Sequence, residues 1–253
     1  MRWRASGVTD AGRRREKNED ALLVAPSLGL YAVADGMGGH AAGEVASSLA
    51  IDALRESLEG VEAAPPPDEA AAARRLESAV REANRRIWEA IEEREDRRGM
   101  GTTLVAMLVL GGRAVLAHVG DSRAYVLRSG GLARLTSDHS WVAEQVRLGY
   151  LSDEDAQRHP MRNVVTRALG SRPDVTVDTA TLTFRAGDVV LLCSDGLNAM
   201  LRDSEIAEIL GAPGADPKPI CHRLVAEANA RGGDDNVTVV VLIADDRPRP
   251  ASS

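Results

Sequence analysis

Four apolar segments of this chain run directly into, or out of, an aspartate. Leu30-Tyr-Ala-Val-Ala leads into Asp35-Gly36, Ala114–Gly120 into Asp121-Ser122, and Val189–Ser194 into Asp195-Gly196, while Gly232-Gly-Asp-Asp235-Asn236 precedes Val237-Thr-Val-Val-Val. Short Val/Leu-rich runs bounded by Gly, Asp and Ser read as strands. Asp-Gly by itself is a common turn dipeptide and carries no function. Four such ends against strongly apolar strands are more restrictive. If they converge, several carboxylates share one place, which like charges tolerate only with cations between them. Oxygen ligands select hard divalent ions, Mg²⁺ or Mn²⁺, over zinc, which prefers His and Cys. The five histidines (His40, His118, His139, His159, His222) show no HExxH spacing.

Around these ends the pattern is mixed. Leu22–Ala25 and Leu30–Ala34, divided by Pro26-Ser-Leu-Gly29, read as paired strands. The spacing predicts a helix from about Glu44 to Leu58, opened by the glycine-rich loop Gly36–Gly43. A longer helix is expected from Glu69 to about Arg98, with Leu76, Val80, Ala83, Ile87 and Ile91 on one stripe; Pro65-Pro66-Pro67 separates the two. Further strands are expected at Thr102–Leu110, Ala114–Val119, Ala124–Leu127, Leu132–Leu135, Val175–Thr183, Val189–Ser194 and Val237–Ala244. Helices are expected at about Ser204–Leu210 and Pro217–Ala230. The stretch Asp138–Arg172 is polar, with short helical patterns at Ser140–Leu148 and from Ser152, whose Asp155 makes a variant capping box. Strands and helices come in runs, which points to α+β with helices packed on largely antiparallel sheets. The tail 246–253 is Pro-rich and expected to fray.

Composition narrows the function classes. With 31 Lys+Arg against 38 Asp+Glu the formal charge is −7, which argues against a backbone grip on nucleic acid. The longest apolar runs fall far short of the roughly 18 residues that cross a bilayer, and no secretory signal follows Met1, so a cytoplasmic, non-membrane protein is expected. Cys193 and Cys221 form no disulfide framework and suit a reducing compartment.

Two local motifs admit competing readings. Gly36-Met37-Gly38-Gly39-His40-Ala41 satisfies GxGxxG/A between a strand and a helix. Against a dinucleotide site, Asp35 would set a carboxylate beside the pyrophosphate, no acid-ended strand follows about 20 residues on, and no GK[ST] completes a P-loop. Arg13-Arg14-Arg15-Glu16-Lys17-Asn18-Glu19-Asp20 is a basic cluster in an acidic chain. Its arginine forks suit a phosphate; a solvated basic turn accounts for the same residues.

Taken together, Arg15-Glu-Lys-Asn18-Glu19-Asp20, Asp35-Gly36-Met-Gly38-Gly39, Gly101-Thr102-Thr103, Gly120-Asp121-Ser122-Arg123, Ser194-Asp195-Gly196 and Asp235-Asn236 stand in the order and spacing of the metal-dependent type 2C Ser/Thr protein phosphatases. Leu135-Thr-Ser-Asp138-His139-Ser140 and Thr166-Arg167-Ala168-Leu169-Gly170 add to the match. The resemblance covers about Val8 to Ala244 and is closest to the bacterial branch. It implies a single phosphatase domain over 1–245, built as a four-layer α-β-β-α sandwich of two mainly antiparallel sheets flanked by helices. The metals would lie in a cleft at one edge, and 138–172 would form a substrate-selecting flap beside it.

The same resemblance implies residue roles. Asp35 would bridge two Mn²⁺ or Mg²⁺ ions, joined by the carbonyl of Gly36, and Asp195 and Asp235 would complete the pair. Asp121 with Asp195 matches a third ion site. Asp20, preferred over Glu19, would act through metal-bound water, and Arg15 would bind phosphate. Where many eukaryotic members carry a histidine after the Asp-Gly, this chain has Met37; His40 is a substitute to be weighed against a packing role, so the general acid is unassigned. The implied reaction is hydrolysis of phosphoserine and phosphothreonine by a metal-activated water, with no covalent phosphoenzyme. Cys193 lacks a C-x5-R loop, and Asp195 lacks the DxDx[TV] pattern of aspartyl nucleophiles.

The expected partners are phosphorylated proteins, including Ser/Thr kinases, met by a monomer. Two other readings stay open: a regulator-type phosphatase of anti-sigma-factor antagonists, which usually carries fused sensor domains, and a non-catalytic phosphoprotein-binding module, which typically lacks a metal aspartate. Two bound divalent ions would move the formal charge from −7 to about −3.

Overall fold

The computed structural model describes residues 1–38, 42–60, 66, 68–214 and 216–245. Readings that fall on Gly39, His40, Ala41, Pro65, Pro67 and the 246–253 tail lie outside the described residues. The elements follow in the order β1 (Arg2–Asp10), β2 (Asp20–Ala25), β3 (Leu30–Met37), α1 (Ala42–Leu58), α2 (Glu69–Glu93), β4 (Gly101–Thr102), β5 (Leu104–Leu110), β6 (Arg113–Val119), β7 (Arg123–Arg128), β8 (Gly131–Arg134), α3 (Trp141–Arg147), α4 (Asp153–Arg158), β9 (Asp178–Thr183), β10 (Val189–Cys193), α5 (Asp195–Met200), α6 (Asp203–Leu210), α7 (Pro217–Ala230) and β11 (Val237–Asp245).

Every strand pair is antiparallel. One sheet runs β1-β11-β10-β7-β8, the other β2-β3-β5-β6-β9 with β4 added beside β3. The sheets face each other across a core of Val33, Val105, Met107, Leu116, Val190, Leu192, Val240 and Leu242. On the outer face of the second sheet α1 and α2 cover Ala32, Leu104, Ala106 and Ala117. On the outer face of the first, α7 with α5 and α6 covers Leu191, Cys193, Val239 and Val241. The result is the expected four-layer α-β-β-α sandwich.

Burial on both faces explains the strand composition. β10 reads Val-Val-Leu-Leu-Cys and is buried throughout, as is nearly all of β11, because a strand with a helix on one side and a sheet on the other has no solvent face to mark with polar residues. The edge strand β9, Asp-Thr-Ala-Thr-Leu-Thr, alternates half-buried and exposed instead.

α2 starts where Asp68 accepts a hydrogen bond from the Ala71 N–H, and its buried stripe includes Leu76, Val80, Ala83 and Ile87. It ends at Glu93, not near Arg98. Arg94 is extended at φ −143°, its guanidinium pairs with Asp96, and a single 3₁₀ turn at Glu95–Arg97 follows. No apolar residue lies between Ile91 and Gly99 to hold another helical turn on the sheet. The two short helices of the 138–172 segment begin as expected, with Ser140 and Ser152 each accepting from the backbone three residues on. Two elements have no counterpart in the sequence reading: β1 and α5.

Candidate metal centre and active site

All four aspartate-bearing strand ends reach the same end of the sandwich. Asp35 lies two residues before the end of β3, Asp20 opens β2, and the two are direct cross-strand partners. Asp195 follows β10 as the first residue of α5, and Asp235 stands just before β11. Asp121 sits in the turn between β6 and β7. The outcome is a cleft of about 250 Å³ whose wall includes Arg15, Asp35, Gly36, Asp121, Asp195 and Asp235. Glu19, Met37, Thr103 and Asn236 complete it, and Asn163 and Val165 close it from the 138–172 segment. Asp20 lies beneath this surface and Glu19 on it.

The backbone geometry of the site requires particular residues. A Cβ on Gly36 would stand 2.2 Å from the Gly43 carbonyl and 2.4 Å from that of Glu19, so only glycine lets the three segments meet there. Gly12 has φ +81°, and a Cβ there would strike the Asp235 carbonyl at 2.2 Å. Asn236 clips the Arg15 loop to β11: its Nδ2 donates to the carbonyls of Ala11 and Lys17, and its Oδ1 accepts from the Glu19 N–H at 2.8 Å. Thr102 and Thr103 hold the end of β3. Thr102 Oγ1 donates to the Asp35 carbonyl at 2.9 Å, and Thr103 Oγ1 accepts from the Asp35 N–H at 3.2 Å. The threonines stand in the Gly101-Thr102-Thr103 motif, but their role shows only once β3, β4 and β5 are paired.

The electrostatics are those of a site built for cations. Burial, then the nearby Asp20, Asp195, Asp121 and Asp235, push the Asp35 carboxyl well above its ordinary range. Burial and then Asp235 raise Asp195. Burial lifts Asp121 to about 7, with Asp195 and Asp138 adding to it, and lifts Asp20 to about 7 against hydrogen bonds from Thr238 and Ser194. Ser194 Oγ donates to Asp20 Oδ2 at 2.8 Å, while Asp20 Oδ1 is buried without a partner. Among the described residues the one cation on the cleft wall is Arg15, half exposed, with Nη2 at 2.7 Å from Asp235 Oδ2. Several mutually repelling carboxylates, one with an orphaned buried oxygen, and a single arginine at the rim leave negative charge uncompensated. An all-oxygen donor set of this kind fits hard divalent ions.

Cys193 and Cys221 are buried and form no disulfide, and burial pushes each thiol up to about 12, which removes both as nucleophiles. No helix among the described residues is long and apolar enough to cross a membrane.

Comparison with known proteins agrees with this geometry. The sequence pattern of the family Protein phosphatase 2C matches residues 10–226. The serine/threonine phosphatase stp of Listeria monocytogenes serotype 4b (strain F2365) is 40% identical over 240 residues, covering 94% of each chain. The crystal structure of the Mycobacterium tuberculosis serine/threonine phosphatase PstP/Ppp superposes with a TM-score of 0.89 at 41% identity, over 97% of this chain and all of that one. The catalytic domain of serine threonine protein phosphatase PstP, solved in complex with 2 manganese ions, gives a TM-score of 0.84 at 40% identity over 96% and 99% of the two chains. Fold, carboxylate cleft and sequence therefore agree: this chain belongs to the protein phosphatase 2C family of serine/threonine phosphatases.

Proposed function

We propose that the protein hydrolyses phosphoserine and phosphothreonine monoesters in other proteins at the cleft where Asp35, Asp121, Asp195 and Asp235 converge. That convergence is the observation that carries the reading. In it, Asp35, Asp195, Asp235 and the Gly36 carbonyl hold two Mn²⁺ or Mg²⁺ ions, Asp121 with Asp195 holds a third, and Asp20 supports them from beneath. Bound there, the ions supply Lewis-acid activation of water and neutralisation of the phosphoryl charge.

The remaining parts belong to the chain itself. Arg15 stands at the rim with guanidinium N–H groups beyond the one given to Asp235, a geometry suited to phosphate oxygens. Asn236 keeps its loop in place. Asn163 and Val165 narrow the entrance. Met37 lies on the cleft wall with no proton to give. The deeply buried thiols agree with direct displacement and no phosphoenzyme.

The reading extends to a single catalytic domain over 1–245 with a flap at 138–172, acting as a monomer in the cytoplasm on phosphoproteins, Ser/Thr kinases among them. Unbonded cysteines support the reducing compartment. Phosphate release from a phosphothreonine peptide, measured with Mn²⁺ and again with excess chelator, tests it. Turnover that appears with metal and vanishes with chelator is expected; no metal-dependent turnover sinks the reading.

A further inference from the structure

His139 is a buried side chain at the junction of two segments that form the cleft. Its backbone N–H donates to the Gly120 carbonyl at 3.0 Å, and its own carbonyl accepts from the Thr166 N–H at 2.8 Å. Its Nδ1 accepts from the Gly120 N–H at 3.0 Å. In a neutral ring the proton then sits on Nε2. Nε2 lies 3.4 Å from Asp178 Oδ2 and 3.1 Å from Arg167 Nη1, whose own protons go to Asp178 Oδ1 at 2.5 Å and to the Thr176 carbonyl at 3.3 Å, which leaves Asp178 to accept from Nε2. The chain of contacts thus runs from the turn that bears Asp121, through one imidazole, to both ends of the flap. Bridges between Ser140 and Val165 and between Thr102 and Leu169 tie those ends to each other and to β4. Burial, with the charges of His118 and Arg167, holds the ring down at about 4, so it is neutral near pH 7.

The same cluster offers candidate metal-ligand atoms on His118, His139 and Asp178 within 4.8 Å of one another. The hydrogen bonds argue against an ion there. Ligation through Nε2 would move the ring proton to Nδ1, where the Gly120 N–H already points. The Arg167 guanidinium also occupies Asp178, and His118 Nε2 is engaged at 2.9 Å by the Ser137 carbonyl.

We propose that His139 is a positioning residue: its Nε2–H imidazole locks the Asp121 turn to the neck of the flap, so that the two walls of the cleft keep one register. The proposal rests on the reading of Asp121 as an ion ligand. Its test uses the ¹⁵N-labelled full chain. Without metal, the long-range ¹H–¹⁵N spectrum of His139 should show a protonated Nε2 and an accepting Nδ1, and the Gly120 amide should exchange slowly. An Nδ1–H tautomer overturns the proposal even if no variant folds.

His139→Asn keeps an acceptor for Gly120 but cannot reach Asp178, whereas His139→Phe loses both contacts. His139→Phe should expose the Gly120 amide to exchange and raise the half-saturating Mn²⁺ for turnover about tenfold, the size of effect seen when supporting partners of metal ligands are removed. His139→Asn should keep Gly120 protected and the Mn²⁺ dependence within about twofold, while raising KM for the phosphopeptide. If folded His139→Phe leaves exchange, Mn²⁺ dependence and KM unchanged, the imidazole only packs and the proposal fails. Asp121→Ala is the control: if it does not shift Mn²⁺ dependence while Gly120 exchange follows the His139 variants, the Asp121 reading fails and the lock stands.

Discussion

Asp35 is enclosed near the end of β3, facing Asp20, Asp195, Asp121 and Asp235. A carboxylate so placed is costly unless a cation uses it, so its removal should cost function more than folding. Asp35→Ala and Asp195→Ala are each expected to lower kcat about a thousandfold or more, checked by phosphopeptide turnover with Mn²⁺ and by circular dichroism to confirm the fold. Arg15→Ala removes a rim donor that, on the proposed reading, would meet the phosphate before the chemistry. It should raise KM about tenfold with kcat little changed.

These carboxylates are legible in the sequence because each borders a strand too apolar to be anything but core. The supports around them are not. Thr103 and His139 stand in recognisable motifs, but the contacts they make, 68 and 19 residues away, are marked by no local pattern, and nothing local places Asn163 on the cleft wall.

Among the elements, α2 was readable from its stripe and β5, β6, β10 and β11 from their unbroken apolar runs. β1 was not: Arg-Trp-Arg-Ala-Ser-Gly-Val-Thr-Asp is half-buried nearly throughout, and only its nine-residue pairing with β11 makes it a strand. α5 is one short turn-and-a-half, Asp-Gly-Leu-Asn-Ala-Met, held by burial of Gly196 and Leu197 and not by propensity. α2 offers a test of which force matters more. Leu76 is fully buried against the second sheet, so Leu76→Ala should cost about 2–5 kcal/mol in chemical denaturation. Asp68→Ala, which removes only the cap, should cost about 1 kcal/mol.

The molecule as a whole trades stability for a charged cleft. With the folded carboxyls of Asp20 and Asp121 raised to about 7, and those of Asp35 and Asp195 also raised, the native state binds more protons than the unfolded chain between the ordinary carboxylate range and these values. Their contribution to stability is therefore present at lower pH and lost as pH rises through the folded values. His139, lowered to about 4, acts in the opposite sense, but only below its ordinary 6.5. Chelated protein should thus lose stability as pH rises from about 4 to 7 in denaturant titrations, four raised carboxyls outweighing one lowered imidazole. Mn²⁺ at about a hundred times its Kd should add about 2.7 kcal/mol per site and flatten that loss. Stability that rises over the same window without metal would contradict the assigned strain.

The central claim is that the converging carboxylates are one cation-binding catalytic centre. It is tested most directly by titrating Mn²⁺ calorimetrically into chelator-stripped protein and its Asp35→Asn variant, with phosphopeptide turnover read on the same samples. The expected result is at least two ions bound by the native chain, with turnover rising as they fill, and loss of both in the folded variant. An Asp35→Asn variant that binds the same number of ions and turns over phosphopeptide at the native rate would contradict it.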